Sequence, residues 1–312
     1  MKRIDLRWAA TLALSTALGG CGGEEFDPFG RLTSLRVLAI QSEPVSPGPG
    51  ETTTLMPSLY IPGSHSEPTF SWSWCPVPGS SYDGYPCEFD EESLGALTGM
   101  MDIPPLDLGE GETATLRNPM ASDLLPELCA TSSGGPEAFS CDEDWPVQVK
   151  LTVATDEDEV VAVRTLYLPF EPPQEVNTNP TLEGLEVRLN GEWVDVTEEF
   201  DTPLPRDEAT KLRAKVSEDQ AQRYETRSAD GGSARERERL TISWFVETGT
   251  TKFERTGFID GTTTIATLAN NEWVPERHED YPEDTAEILL VIRDNREGVS
   301  WQRFSVRLAE EP

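Results

Sequence analysis

Histidine is nearly missing from this chain: His65 and His278 are the two in 312 residues. A Ser-His-Asp triad or a histidine-rich metal centre therefore has almost nothing to draw on. Positive charge is scarce too, with 25 Lys and Arg against 57 Asp and Glu and a formal net charge of −32. A field of that sign repels anionic surfaces and argues against nucleic acid as a partner. No apolar run reaches the ~20 residues of a bilayer-spanning helix. Gly-x-Ser-x-Gly, a Gly-rich phosphate loop, His-Glu-x-x-His and a dinucleotide fingerprint are all absent from the sequence. The usual motifs of acyl transfer, phosphoryl transfer, metalloproteolysis and hydride transfer thus give no starting point. Helix-favouring runs of Leu, Ala and Lys are few, whereas 25 Pro and 24 Gly punctuate the chain. Strands and turns are the expectation.

What the chain does have begins at its N-terminus. Lys2, Arg3 and Arg7 lead into the apolar stretch Trp8–Leu18, which ends in Leu18-Gly19-Gly20-Cys21. This order of charge, short apolar core and small residues is that of a secretory signal. The tetrapeptide resembles the lipobox of bacterial lipoproteins. That resemblance implies cleavage before Cys21, a thioether from its sulfur to diacylglycerol, and acylation of the new amine. Several acyl chains, at ~0.8 kcal/mol per buried CH₂, hold far more firmly than one. Gly22 stands where some lipoproteins carry a retention aspartate, which points to the outer membrane. The expected layout is a signal peptide over 1–20 and a lipidated tether over 21–30. Loss of residues 1–20, with their net +2, would leave the mature chain near −34. So short a tether suggests a first domain near the membrane and a second one distal.

Past residue 30, short apolar or alternating segments are separated by Gly, Pro, Asn and Asp. Strands are expected at 35–40, 52–61, 69–75, 112–116, 147–154 and 160–168. In the fifth of these, Val147, Val149, Leu151 and Val153 alternate with polar residues, the pattern of a strand with one wet face. Residues 171–180, with three prolines, read as a stiffened linker. The second half then replays the first, with strands expected at 182–189, 209–216, 241–247, 262–268, 286–293 and 299–308. Phe70-Ser71-Trp72-Ser73-Trp74 parallels Leu240-Thr241-Ile242-Ser243-Trp244, and residues 50–55 parallel 207–212. The closing hairpins, 149–168 and 289–308, complete a duplication.

Six or seven strands per ~130 residues imply a β-sandwich. The expected fold is all-β: two tandem immunoglobulin-like β-sandwich domains, 31–170 and 181–312, after a cleaved lipoprotein signal peptide. Trp74 or Trp244 would be the core indole of the third strand. On these residues the modules resemble tandem immunoglobulin-like domains of bacterial envelope proteins, including polycystic-kidney-type repeats, and the whole resembles surface lipoproteins of myxobacteria. Antibody domains differ, because neither second strand here carries the cysteine that would bridge to the sixth.

Apart from Cys21, the cysteines are Cys75, Cys87, Cys129 and Cys141, all in the first domain. An exported chain meets an oxidising compartment, so two disulfides are expected, with three connectivities open. Two gaps of 12 residues favour the local pairs Cys75–Cys87 and Cys129–Cys141, and they argue against a four-cysteine zinc site. Residues 89–101 suggest a short helix. Residues 217–239 carry Arg223, Arg227, Arg235, Arg237 and Arg239, the main basic concentration. It reads either as a docking loop for an acidic protein or anionic glycan, or as a solvated loop of mixed charge without order. Loop carboxylates, foremost Asp142, Glu143 and Asp144, are raw material for calcium. No cofactor is otherwise implied. The expected protein is a non-enzymatic, outer-membrane-anchored lipoprotein of the cell envelope with a structural or a protein- or glycan-binding role. A carboxylate-based hydrolase and a calcium-stabilised adhesin are the alternatives.

Overall fold

Alternation sets the strands, and a buried indole sets the centre of each sandwich. The computed structural model describes residues 28–76, 79, 86–87, 103–119, 144–173, 175–227 and 232–310. The first sandwich sets β1 (Arg36–Glu43), β2 (Thr52–Tyr60) and β5 (Ala114–Arg117), in the order β1-β2-β5, against a four-stranded sheet. That second sheet contains β3 (Thr69–Cys75), β4 (Asp107–Gly109), β6 (Trp145–Ala154) and β7 (Glu159–Leu168), in the order β4-β3-β6-β7. The alternating apolar residues of β6 lie fully buried on one face, beside Trp72 and Trp74 of β3.

The second sandwich repeats the plan. One sheet holds β8 (Gly184–Leu189), β9 (Glu192–Asp195), β10 (Thr210–Lys215), β14 (Thr250–Thr251) and β16 (Asn270–Val274), in the order β14-β16-β10-β8-β9. The other holds β13 (Leu240–Val246), β15 (Arg255–Phe258), β17 (Thr285–Arg293) and β18 (Val299–Arg307), in the order β15-β13-β17-β18. Both modules thus set three strands in a common order (β1-β2-β5; β8-β10-β16) against four (β4-β3-β6-β7; β15-β13-β17-β18), the immunoglobulin-like arrangement, with β9 and β14 added at the edges of the second. The strand ladders are antiparallel throughout. Trp74 pairs with Val149, and Trp244 pairs with Leu290. Val149 therefore corresponds to Leu290, one residue away from the sequence parallel with Leu289. All four large buried indoles have an acceptor for Nε1: Gly111 O for Trp72, Pro105 O for Trp74, Thr256 Oγ1 for Trp244 and Thr248 O for Trp273.

Three expectations need correction. The strand expected at 262–268 is a turn followed by α1 (Ile265–Ala269), and the fifth strand of that module starts only at Asn270. The side chain of Thr264 accepts the amide of Thr267, whose hydroxyl in turn accepts the amide of Thr264. This reciprocal cap favours helix over the alternation of the same residues. The region 217–239 holds an ordered ribbon, β11 (Arg223–Arg227) paired with β12 (Ser233–Arg237), beyond a 3-10 turn at Glu218–Gln220. The short strands β4, β9, β14 and β15 lacked a periodic signal because each spans two to four residues. The helix expected at 89–101 lies outside the described residues.

The third correction concerns the layout of the modules. Gly30 and Leu32 bracket Val246 with backbone hydrogen bonds of 2.8 and 2.9 Å, forming a parallel bridge at Arg31. Residues 30–32, expected to lead into the first sandwich, therefore also run along the second. Gly30 is needed there, since a Cβ would meet the carbonyl oxygen of Trp244 at 2.8 Å.

Candidate functional site

Strand β17 reads Ile288-Leu289-Leu290-Val291-Ile292, five apolar residues in succession, and it is buried on both faces. Ile288, Leu290 and Ile292 enter the core of the second sandwich. Leu289 and Val291 point the other way. There Leu32, Leu38, Ala39, Tyr60, Phe245 and Val299 close over them, with Trp301 at the margin. The first sandwich thus packs its β1–β2 side on the outer face of the sheet that contains β17, and an apolar seam joins the two modules.

Hydrogen bonds fix that seam. Strand β1 is an edge strand, and three of its carbonyls are capped in succession. Arg293 Nη2 donates to Leu38 O at 2.5 Å, Arg164 Nη1 to Ile40 O, and Asn179 Nδ2 to Ser42 O at 2.9 Å. Capping of this kind removes the template that a bare edge offers to another chain. Arg164 also donates to Ser42 Oγ and to Glu297 O, and so ties both sandwiches together. Burial pushes its guanidinium down to about 10, against the pull of Glu297 and Asp294. Further along, Arg303 Nη2 donates to Leu59 O at 2.6 Å, and the Tyr60 hydroxyl to Glu247 Oε1 at 2.9 Å. Burial, together with the Glu247 carboxylate, holds the phenols of Tyr60 and Tyr281 above their ordinary range.

Two recesses flank the seam. The larger, about 640 Å³, is an open cleft to which the first sandwich contributes Ser58, Glu67, Phe70 and Glu112, and the second Trp301, Gln302 and Arg303. Trp301 and Phe70 are half-buried, while Glu67 and Glu112 are exposed. Ser58 is 1% exposed, and its Oγ has no hydrogen-bond partner among the described residues. Aromatic surface beside amide, guanidinium, hydroxyl and carboxylate groups can hold a ligand that is apolar on one side and rich in hydrogen-bonding groups on the other. The smaller recess, about 460 Å³, lies beside β1 and β7. Its Asp294 carboxylate accepts the amides of Arg296 and Gly298 at 2.7 Å each, and its two arginines are the caps just described. It is a structural gap more than a site.

The candidate residues of the sequence are scattered by the fold. Cys75 and Cys87 form a disulfide, which leaves the local pattern as the one connectivity of the three compatible with it. Cys21, Cys129 and Cys141 lie outside the described residues. So do Asp142 and Glu143, while Asp144 is exposed just before β6. Among the described residues no three carboxylate, histidine or cysteine groups converge as metal ligands. His65 contacts the Thr155 hydroxyl at 3.2 Å and the Glu157 carboxylate at 3.3 Å, which pins the loop after β2 to the β6–β7 turn.

The arginine ribbon is not a uniform basic patch. Arg237 turns inward to Glu218 at 2.7 Å and stacks over Phe258. Arg235 faces Glu225 across the ladder, and Arg227 is in register with Ser233. Arg223 and Arg239 are exposed, and the amide of Arg239 donates to Asn295 Oδ1. At the base of the ribbon Glu238 is fully buried. Burial and the Asp294 carboxylate push it up to about 6, although Arg296 lies 3.2 Å away. The cleft residues escaped sequence reasoning, because the two sandwiches contribute them from segments far apart in the chain, such as Phe70 and Trp301. The signal that could have found them was the unbroken apolar run of β17, which has no wet face.

No protein-family model and no curated protein matches the chain. Among solved structures it is similar to Escherichia coli alpha-2-macroglobulin activated by porcine elastase, at 9% identity and a TM-score of 0.21 over 91% of this chain. The chain spans 22% of that protein's length. A chimeric titin Z1Z2 carrying a decorin peptide is similar over 90% of this chain and 100% of its own, at 10% identity and a TM-score of 0.20. The C-terminal domain of the Streptococcus pyogenes antigen I/II-family protein AspA is similar over 88% of this chain and 98% of its own, at 8% identity and a TM-score of 0.23. Likenesses this distant carry no functional argument; the immunoglobulin-like assignment rests on the strand order of the two sandwiches.

Proposed function

We propose that this chain is a lipid-anchored protein of the bacterial outer membrane, attached through Cys21, that binds a protein or glycan partner without catalysing a reaction. The lipobox sequence supports the anchor. The partner role is carried by one observation, the 640 Å³ cleft where Phe70 and Trp301 of different sandwiches face one opening. Of the two partner classes a glycan fits this cleft better, since sugar rings pack an apolar face on aromatics and present hydroxyls to Gln302, Arg303 and the two glutamates. Glu67 and Glu112 share the cleft as solvent-exposed hydrogen-bonding groups, which suits binding of a hydroxyl-rich ligand. Rigid junctions suit such a role, because a ligand held by two modules loses affinity if they move apart.

Membrane fractionation of Cys21→Ser tests the anchor: the variant is expected in the soluble fraction, and its retention in membranes would refute lipidation. A photo-crosslinking residue at Glu67 in intact cells tests the cleft. Capture of an envelope polysaccharide or one defined protein is expected, whereas an equal product pattern from a control probe at Glu192 would sink the reading. Turnover of an envelope glycan by the parent but not by Glu67→Gln or Glu112→Gln would replace binding with hydrolysis.

A further inference from the structure

Among the described residues, exposed aromatic rings and basic groups gather around Phe29 and Phe253. Phe29 is 37% exposed, and two guanidinium groups lie over its ring: Arg255 at 4.3 Å and Arg36 at 5.5 Å from the centroid. Two residues before Arg255, Phe253 is 51% exposed with the Lys252 ammonium 5.7 Å from its ring centre. Arg31 turns its guanidinium to Glu276 and to Gly249 O. The nearest carboxylates are already engaged. Glu276 accepts both Nη groups of Arg31 at 2.7 and 2.8 Å, Glu272 pairs with Lys252 at 3.1 Å, and Glu254 accepts the Gly30 amide at 3.2 Å. Four cations thus meet three carboxylates, so in a chain of net charge −32 this end is close to neutral and rich in exposed aromatic surface.

Its position gives the patch a meaning. Seven peptide units separate Cys21 from Pro28, so the chain can reach at most about 25 Å from the lipidated residue to the start of this patch. Residues 28–32 add little to that reach, because Gly30 and Leu32 are bonded to Val246 and Arg31 N to Pro28 O. Aromatic rings and basic groups are the side chains that settle at the headgroup level of a bilayer, the rings through their amphipathic edge and the cations through phosphate. We propose that Phe29, Arg36, Phe253 and Arg255 form a contact surface for glycerophospholipid headgroups of the membrane that holds the anchor. This contact orients the two sandwiches with the β14–β15 end toward the bilayer. The proposal rests on lipidation at Cys21 and adds an orientation to it. The rest of the acidic surface, repelled by lipid phosphate, reinforces the same orientation.

The test uses the lipidated full-length chain in phosphatidylethanolamine–phosphatidylglycerol vesicles that contain a lipid with a photo-crosslinkable headgroup, with labelled peptides mapped by mass spectrometry. Labelling is expected to concentrate in residues 28–36 and 250–256. In the F253S/R255S variant, whose two side chains are surface-exposed, it should fall by about five-fold, the factor for loss of one basic group at a lipid surface, while the vesicle-bound fraction stays the same. Labels spread evenly over the bound protein, or concentrated on the ribbon Arg223–Arg237, would overturn the contact surface and leave the anchor standing. Failure of the parent chain to bind vesicles, or equal binding by Cys21→Ser, would overturn the anchor and this orientation with it.

Discussion

Strands β6 and β17 hold the same place in the two sandwiches, yet they meet different surroundings. In β6 the outward Lys150 is exposed and Thr152 half-buried, and the apolar residues alternate with polar ones. In β17 the outward Leu289 and Val291 are buried at 1% and 0% exposure, because the first module covers them. One strand serves a single core and the other serves two. The repeated fold thus forms one interlocked body in which the two modules differ on one face of one sheet, while the inner faces share a common plan around Trp74 and Trp244.

The comparison can be broken most forcefully at the indoles. Trp244→Ala should cost about 3–5 kcal/mol through lost burial and the cavity left behind. If the seam couples the modules, calorimetry should show both sandwiches melting together at a lower temperature. A low-temperature transition confined to one module would mean that they fold independently. The disulfide divides the modules next, since no cysteine lies beyond Cys141. C75S/C87S should lose about 3 kcal/mol by the loop-entropy estimate, measured by urea unfolding. An unchanged midpoint would show that the bridge contributes nothing to folding. The outward faces themselves come third. Val291→Ser should cost about 2–3 kcal/mol by exchanging a buried side chain for an unpaired hydroxyl, whereas Lys150→Ser should stay within about 0.5 kcal/mol. Equal costs would erase the distinction between the two strands.

The smallest effect is a pH dependence. Glu238 holds its proton up to about 6 in the fold, above the ordinary range near 4.5. The folded state therefore binds more protons between those values, and the contribution of Glu238 to stability falls as the pH rises through them. Glu238→Gln should match the parent near pH 4.5 and exceed it by about 1–2 kcal/mol near pH 6.5. Parallel stability curves for the two proteins would show that the Arg296 ion pair compensates in full.

Strand existence was legible wherever alternation ran over five residues or more, as in β2, β6 and β10. It failed at α1, where the reciprocal cap between Thr264 and Thr267 outweighs a strand-like pattern. It failed again at the ribbon β11–β12, whose alternating charges carry no apolar period. Of the candidate site, Cys75 and Cys87 were readable because a local loop needs only spacing. Phe70 and Trp301 were not, since nothing in either segment specifies the other.

By itself the sequence determined the all-β class, the duplication and the local disulfide, because period-two apolar patterning and short loops are local properties of the chain. Tertiary structure alone decided that residues 30–32 lie on the second sandwich, that arginines cap the β1 edge, and that a cleft opens between the modules. Those outcomes depend on the matching of surfaces from residues near 30–60 with those near 245–303. A matching of that kind is set by the shape and burial of the assembled sheets, not by any pattern along one segment.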